Sequence, residues 1–201
     1  MITTRNLAML LLGIATISVG VLSTPNTAEA MSNESSGVLG HITLIVADSD
    51  GNIKNYVQTD NLVTDVGKDC IVERTFGTTV AGCTDGATFN NIGLGTGTGQ
   101  TATSSNVATP LGAGCVRVAA STNTETGTAT ETVTIKAIFG GSTSTGADVT
   151  NAACQATITE AGLFNSATAA TGEMFSYQSF TGVAIGASDT LSVQWDIAFS
   201  G

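Results

Sequence analysis

Positive charge is almost missing from this chain. Six Lys and Arg stand against sixteen Asp and Glu, a formal net charge of −10. A surface so poor in cations cannot neutralise a run of phosphates, which excludes nucleic acid and anionic membrane surfaces as partners. Histidine is scarcer still. The single His41 cannot supply the imidazoles of a catalytic zinc site, and a Ser-His-Asp triad would have to run through it with no nucleophile-elbow motif in support. Cysteines never come closer than the thirteen positions between Cys70 and Cys83, which removes the CxxC zinc and redox motifs. Charged residues make up only 11% of the chain, well below the roughly 25% of ordinary soluble domains. Such a composition would mark a disordered coil, but a mean hydropathy of +0.28 and 42% hydrophobic residues are too apolar for one.

What is present begins with an address. Arg5 precedes an apolar run from Leu7 to Leu22, and small residues Ala28 and Ala30 close the segment. This is the three-part layout of a secretory signal peptide, residues 1–30. The run is shorter than the ~20 apolar residues a spanning helix needs and lacks a basic flank beyond it. The expectation is therefore cleavage after Ala30 and a secreted, extracellular or cell-surface protein with no membrane attachment. Removing 30 of the 201 residues leaves 171, enough for one domain with a real core. Cys70, Cys83, Cys115 and Cys154 all lie in the remainder. An even count in an exported chain reads as two disulfides, and four cysteines allow three pairings. The expected pairing is Cys70–Cys83, tying a helix to its following loop, with Cys115–Cys154 joining two strands.

Thr, Val and Ile favour strands, and the 24 glycines favour the turns between them. Residues 31–37 form a polar leader with one sequon at Asn33, a candidate glycosylation site. From there Val38, Ile42, Leu44 and Val46 share one strand face opposite Leu39, His41, Thr43 and Ile45. The turn Asp48-Ser49-Asp50-Gly51-Asn52 and a returning strand to Thr59 make a hairpin. Leu62, Val63, Val66, Cys70 and Ile71 repeat with helical spacing, which predicts a helix over 62–76 ended by Gly77. Further strands are predicted at 89–94, 115–121, 130–139, 156–164, 173–180 and 190–199. Seven or eight antiparallel strands with one short helix give an all-β, sandwich or jelly-roll-like fold, one domain over 38–201.

Candidate chemistry is sparse. Asp48, Asp50 and Asn52 are weak calcium ligands, because glycine falls at position 4 and Thr59 at position 12 of the would-be EF-hand loop. Calcium is thus the one cofactor worth naming, and none is otherwise expected. Gly93, Gly95, Gly97 and Gly99 recur every second residue, which does not match a phosphate-cradling GxGxxG, and no helix follows. Glu160, set among apolar neighbours, has the isolation of a general acid, but glycoside hydrolysis needs a second carboxylate at a defined distance. Hydrogen bonding to backbone where a strand meets a turn is the simpler role.

Four motifs in order carry a family resemblance: Asn61-Leu62-Val63-Thr64-Asp65-Val66-Gly67, Asn91-Ile92-Gly93-Leu94-Gly95-Thr96-Gly97, Ile158-Thr159-Glu160-Ala161-Gly162-Leu163-Phe164 and Asp189-Thr190-Leu191-Ser192-Val193-Gln194-Trp195. Over residues 55–199 the chain resembles a β-rich domain of tail and other structural proteins of tailed bacteriophages. The resemblance implies a structural role with no catalytic residues to carry over. The signal peptide and cysteines depart from that family and suit an exported relative. The expected function is a non-enzymatic extracellular structural protein, a homo-oligomer or polymer built by strand addition with Val38, Ile42, Leu44 and Val46 as the exchanged strand. The competing expectation is a monomeric secreted binding module or adhesin, with the Gly/Thr loops of residues 78–114 contacting a glycan or a host surface.

Overall fold

Strict alternation decides which face of each strand is dry. In the last strand Leu191, Val193, Trp195 and Ile197 are buried while the intervening Ser192, Gln194 and Asp196 are half-buried, the pattern of a sheet with one packed face. The computed structural model describes residues 37–80, 83, 88–112, 115, 117–120, 122–126, 131–140, 154–169 and 171–200. The expected signal peptide, the leader to residue 36 and Asn33 lie outside them. The elements in chain order are β1 (Gly37–Ala47), β2 (Ile53–Val63), α1 (Asp65–Phe76), β3 (Asn91–Gly95), β4 (Val118–Ala119), β5 (Thr122–Thr126), β6 (Glu131–Phe139), β7 (Thr157–Phe164), β8 (Met174–Ala184) and β9 (Thr190–Ser200). No helix among the described residues is long and apolar enough to cross a membrane.

All pairings between named strands are antiparallel, in the spatial order β4-β3-β7-β8-β2-β1-β9-β6-β5. β2 serves both halves. It pairs with β1 over Ile53–Asn61 and with β8 only at Leu62 and Val63. One apolar cluster is shared by the two halves: Ile42 and Leu44 of β1, Trp195 of β9, Ile92 of β3 and Leu163 of β7 all belong to it. The fold is thus an all-β, nearly closed antiparallel sandwich with a single short helix. Each fully buried large side chain in it contributes about 1.5–3 kcal/mol relative to exposure.

Three local readings shift. Leu62 and Val63 end β2 rather than opening the helix, because their backbone pairs with Tyr177 and Ser176. The helix starts three residues later, at Asp65, where the Thr64 hydroxyl accepts from the Gly67 N–H at 2.9 Å as an N-cap. Gly77 closes it with φ 66°. Gly67 itself is demanded by packing, since a Cβ there would stand 2.2 Å from the Phe175 carbonyl oxygen. The expected strand over 115–121 is instead the two-residue β4, followed by β5, which pairs with β6. Consequently Cys115 and Cys154 stand just ahead of β4 and β7, and their disulfide joins two strand entries rather than two strands. The cysteine pairing is otherwise as expected, Cys70–Cys83 and Cys115–Cys154, with Cα atoms 5.0 and 5.3 Å apart.

β1 occupies the middle of its own chain's sheet. Ile42, Leu44 and Val46 are buried and Val38 packs against the same core, with β9 paired along the strand's whole length and β2 along Gly40–Ala47. The turn to β2 is tight: Asp48 N donates to Asn52 O and Gly51 N to Asp48 O, both at 3.0 Å. Any strand addition that leaves this hairpin closed must use another strand.

Candidate functional site

The glycine row and the isolated glutamate are one device. β3 and β7 pair so that Gly93 faces Gly162 and Gly95 faces Glu160. Glu160 lies on the side of β7 away from the main core and is completely buried. Its Oε1 accepts from Gly97 N at 2.9 Å and Thr109 N at 2.8 Å, and its Oε2 accepts from Ala108 N at 2.8 Å. Thr159 Oγ1 adds a bond to Gly97 O at 2.7 Å. The carboxylate therefore pins the 96–110 segment flat over the outer face of β3 and β7. Glycine is required because the segment comes so close. A Cβ on Gly95 would lie 2.4 Å from Glu160 Oε1, and one on Gly97 would lie 2.6 Å from the Ala108 Cβ. Beneath the same segment a second small core gathers Val107, Phe164, Met174 and Tyr177.

Arg117 fastens a neighbouring loop. Its side chain is buried, and its guanidinium donates to the carbonyls of Ser166 (3.1 Å), Thr171 (2.7 Å) and Ala169 (3.2 Å) and to Asn106 Oδ1 (3.2 Å). It stacks 3.5 Å above the centre of the Phe164 ring, a cation–π contact in a dry setting. Burial pulls its pKa down to about 10, so it stays charged at neutral pH. Asn106 Nδ2 to Ala169 O at 3.0 Å completes the link between the 96–110 and 165–171 segments. A crevice of about 10 Å³ beside Gly93, Val107 and Arg117 has room for one water molecule and not for a sugar or nucleotide.

The other sequence candidates sit at the ends and outer face of the β1–β2–β9 sheet. Asp48 Oδ1 accepts from the backbone N–H groups of Asp50 and Asn52 at 2.9 Å, and Oδ2 accepts from Asn52 Nδ2 at 3.1 Å. These bonds, that of the Asn52 side chain foremost, hold the Asp48 carboxyl below its ordinary 3.8. Asp48, Asp50 and Asn52 are thus joined by hairpin-turn bonding. Among the described residues no group of three or more His, Cys, Asp and Glu is arranged to hold a metal ion. His41 Nδ1 meets the exposed Asp60 at 3.0 Å.

Lys54 and Asp189 form an ion pair at this end, with Nζ to Oδ2 at 2.7 Å and the Asp189 side chain 2% exposed. The Lys54 hydrogen bond is the main reason the Asp189 carboxyl is held below 3.8, with Gly186 N donating as well. A carboxylate depressed in the folded state contributes stability above its unfolded pKa and loses it as pH falls through the folded one. Replacing Lys54 with methionine is therefore expected to cost about 1–2 kcal/mol at pH 7, reduced because the lysine is half-exposed. The gap from wild type should narrow as pH falls below 4, read by urea melts at pH 7, 4 and 2.5. A gap independent of pH would mean that the pair is not what the substitution removed.

Arg117 is the residue that sequence reading missed. Its signal was available: a lone cation between Val116 and Val118 in a chain this poor in cations is a cation that something must accept. Glu160 stands out in the sequence, and the backbone bonding expected of it is the role observed. Glu160, Arg117 and Asp48 are thus engaged in holding loops and turns. What stands open among the described residues is backbone: on its second side β2 is paired there only at Leu62 and Val63, with Ile53 64%, Tyr56 53% and Leu62 41% exposed along it. No protein-family model, curated protein or solved structure matches this chain.

Proposed function

We propose that the chain is a non-enzymatic extracellular structural protein, a subunit of a surface or filament assembly joined by strand addition, related in build to the β-rich structural domain of phage tails. The observation that carries this is the open edge of β2. Over Ile53–Asn61 no described strand pairs with its outer side, and an unpaired edge bearing exposed apolar side chains is a template for another chain. Two disulfides fit an oxidising compartment. The loops beside β3 and β7 are tied down by Glu160 and Arg117, which suits a rigid building block.

The full chain, exported through an oxidising compartment, tests this by light scattering and negative-stain microscopy. Regular filaments, sheets or defined oligomers support it; a stable monomer at high concentration sinks it and makes the secreted binding module the better reading. A proline scan of Asn55–Thr59 adds resolution. Successive strand N–H groups point to alternate sides, so at every second position proline should leave the fold intact and abolish assembly, because only the free-edge donor is lost. Assembly unaffected by all five prolines would exclude β2 as the joining edge.

A further inference from the structure

The sheet of β2, β1, β9 and β6 has a second face, turned away from the core, whose side chains fall by register into rows across the strands. Apolar side chains hold its two ends, Leu39 and Leu62 at one and Ile45, Tyr56 and Ile138 at the other. Between them lie two polar rows. One sets the carboxylates of Asp60 and Asp196 on either side of His41. The next carries the amides of Gln58 and Gln194, then Lys136. Leu39, Leu62 and Tyr56 are 61%, 41% and 53% exposed. Apolar groups gathered at both ends of one face, with a polar band between, mark a contact surface rather than scattered exposure.

The order apolar, acidic, amide with lysine, apolar is its own complement when reversed. A second copy can lie on this face about a twofold axis that crosses the strands at the level of Ile42 and Trp195. β1 then lies antiparallel over the partner's β1, with Leu39 over the partner's Ile45 and Leu62 over the partner's Tyr56. Asp196 comes over the partner's Gln194, next to the partner's Lys136, and each contact occurs twice. A twofold axis along the strands, between β1 and β9, is less favourable. It sets the carboxylate row on itself and places Leu39 and Ile45 over Ala198 and Ser192. We infer that two copies of this chain pack face to face through the outer side of β2, β1, β9 and β6, the strands of one running opposite to those of the other.

The existing bonds of the face survive this docking. Asp60 keeps His41. Asp196 accepts from Thr134 at 2.6 Å and from Gln194 at 3.0 and 3.2 Å, which leaves room among the roughly four positions a carboxylate offers. The drive is apolar burial between faces about 10 Å apart, with interdigitating side chains. Four strands about 4.8 Å apart and seven residues about 3.4 Å apart give a footprint of about 450 Å² per copy. A standard specific interface takes roughly 800 Å² per partner, so this contact is weak and gains strength by repetition in an array. The net charge of −10 on each copy opposes it and is screened by salt.

This contact goes beyond strand addition, since it uses side chains of a face and no free backbone edge. The test mixes full-length Leu39→Cys and Ile45→Cys copies in high salt, each with its native disulfides formed, and adds a short bismaleimide. A denaturing gel should show severalfold more cross-linked dimer in the mixture than in either variant alone. Separately, Leu39→Lys puts an ammonium into an apolar contact twice and should raise the dimer dissociation constant about ten- to a hundredfold in sedimentation. Phe76→Lys, on α1 and 73% exposed in the native chain, should leave that constant unchanged. Equal cross-linking in mixed and single samples overturns the face pairing. So does a dimer indifferent to Leu39→Lys or weakened as much by Phe76→Lys. Assemblies that stop with the β2 prolines but ignore Leu39→Lys overturn it while leaving strand addition standing. A chain that stays monomeric at high concentration and high salt overturns both.

Discussion

Glu160→Ala is expected to lower stability by about 3–6 kcal/mol, because it strands three backbone N–H groups at about 1–3 kcal/mol each in a dry place. That is a large share of the total stability of a domain this size. The groups affected are the N–H donors of Gly97, Ala108 and Thr109. Glu160→Gln keeps one accepting oxygen but sets an NH₂ against the remaining donors, so it should cost less, about 1–3 kcal/mol. Urea unfolding midpoints measure both, and limited proteolysis within 96–110 should report the loosened segment. An alanine variant within 1 kcal/mol of wild type would mean that the segment is held by its apolar contacts alone. The order matters more than either value, because a catalytic glutamate would typically cost activity and spare stability when replaced.

Arg117→Met should cost about 2–4 kcal/mol and act locally. Methionine fills much of the same space but abandons the carbonyls of Ser166, Ala169 and Thr171 and the Asn106 side chain. Each of these bonds to a charged donor is worth about 1.5–3 kcal/mol, less the desolvation that arginine no longer suffers. Lysine in its place keeps the charge and loses the planar fork that reaches several carbonyls at once, so it should rescue only part. Hydrogen exchange should speed up across 165–171 while β9 keeps its protection. Unchanged exchange in that loop would show that Asn165 and Glu173, bonded to each other at the loop's base, hold it unaided.

The sheet was legible because period-two alternation is a local property. Val133, Ile135, Ala137 and Phe139 read as one face from sequence and line one face of β6. Leu62 and Val63 misled because two apolar residues before a helix fit its period as well as they fit a strand end; only β8, more than a hundred residues away, decides between them. The spacing of Gly93, Gly95 and Gly97 was visible as an anomaly. Its cause was hidden, because the atoms that forbid a side chain belong to Phe164 and Arg117 at Gly93, and to Glu160, Ala108 and Thr109 at Gly95 and Gly97. β5 was missed for a similar reason: Thr122–Thr126 has no apolar face to betray it and owes its form to pairing with β6. The free edge of β2 has no sequence signature at all, since an edge is defined by the neighbour a strand does not have.

The placing of Gly37 directly across from Ser200 in the β1–β9 pair has a mechanical consequence. A load applied between those two points pulls the strands apart sideways and breaks their ladder one rung at a time, as a zipper opens. The same ladder loaded along its length resists with every rung together. A fibre made by stringing such units end to end through these two points would therefore be weak in tension. One that passes its load from flank to flank, through the broad surface of each sheet, would not.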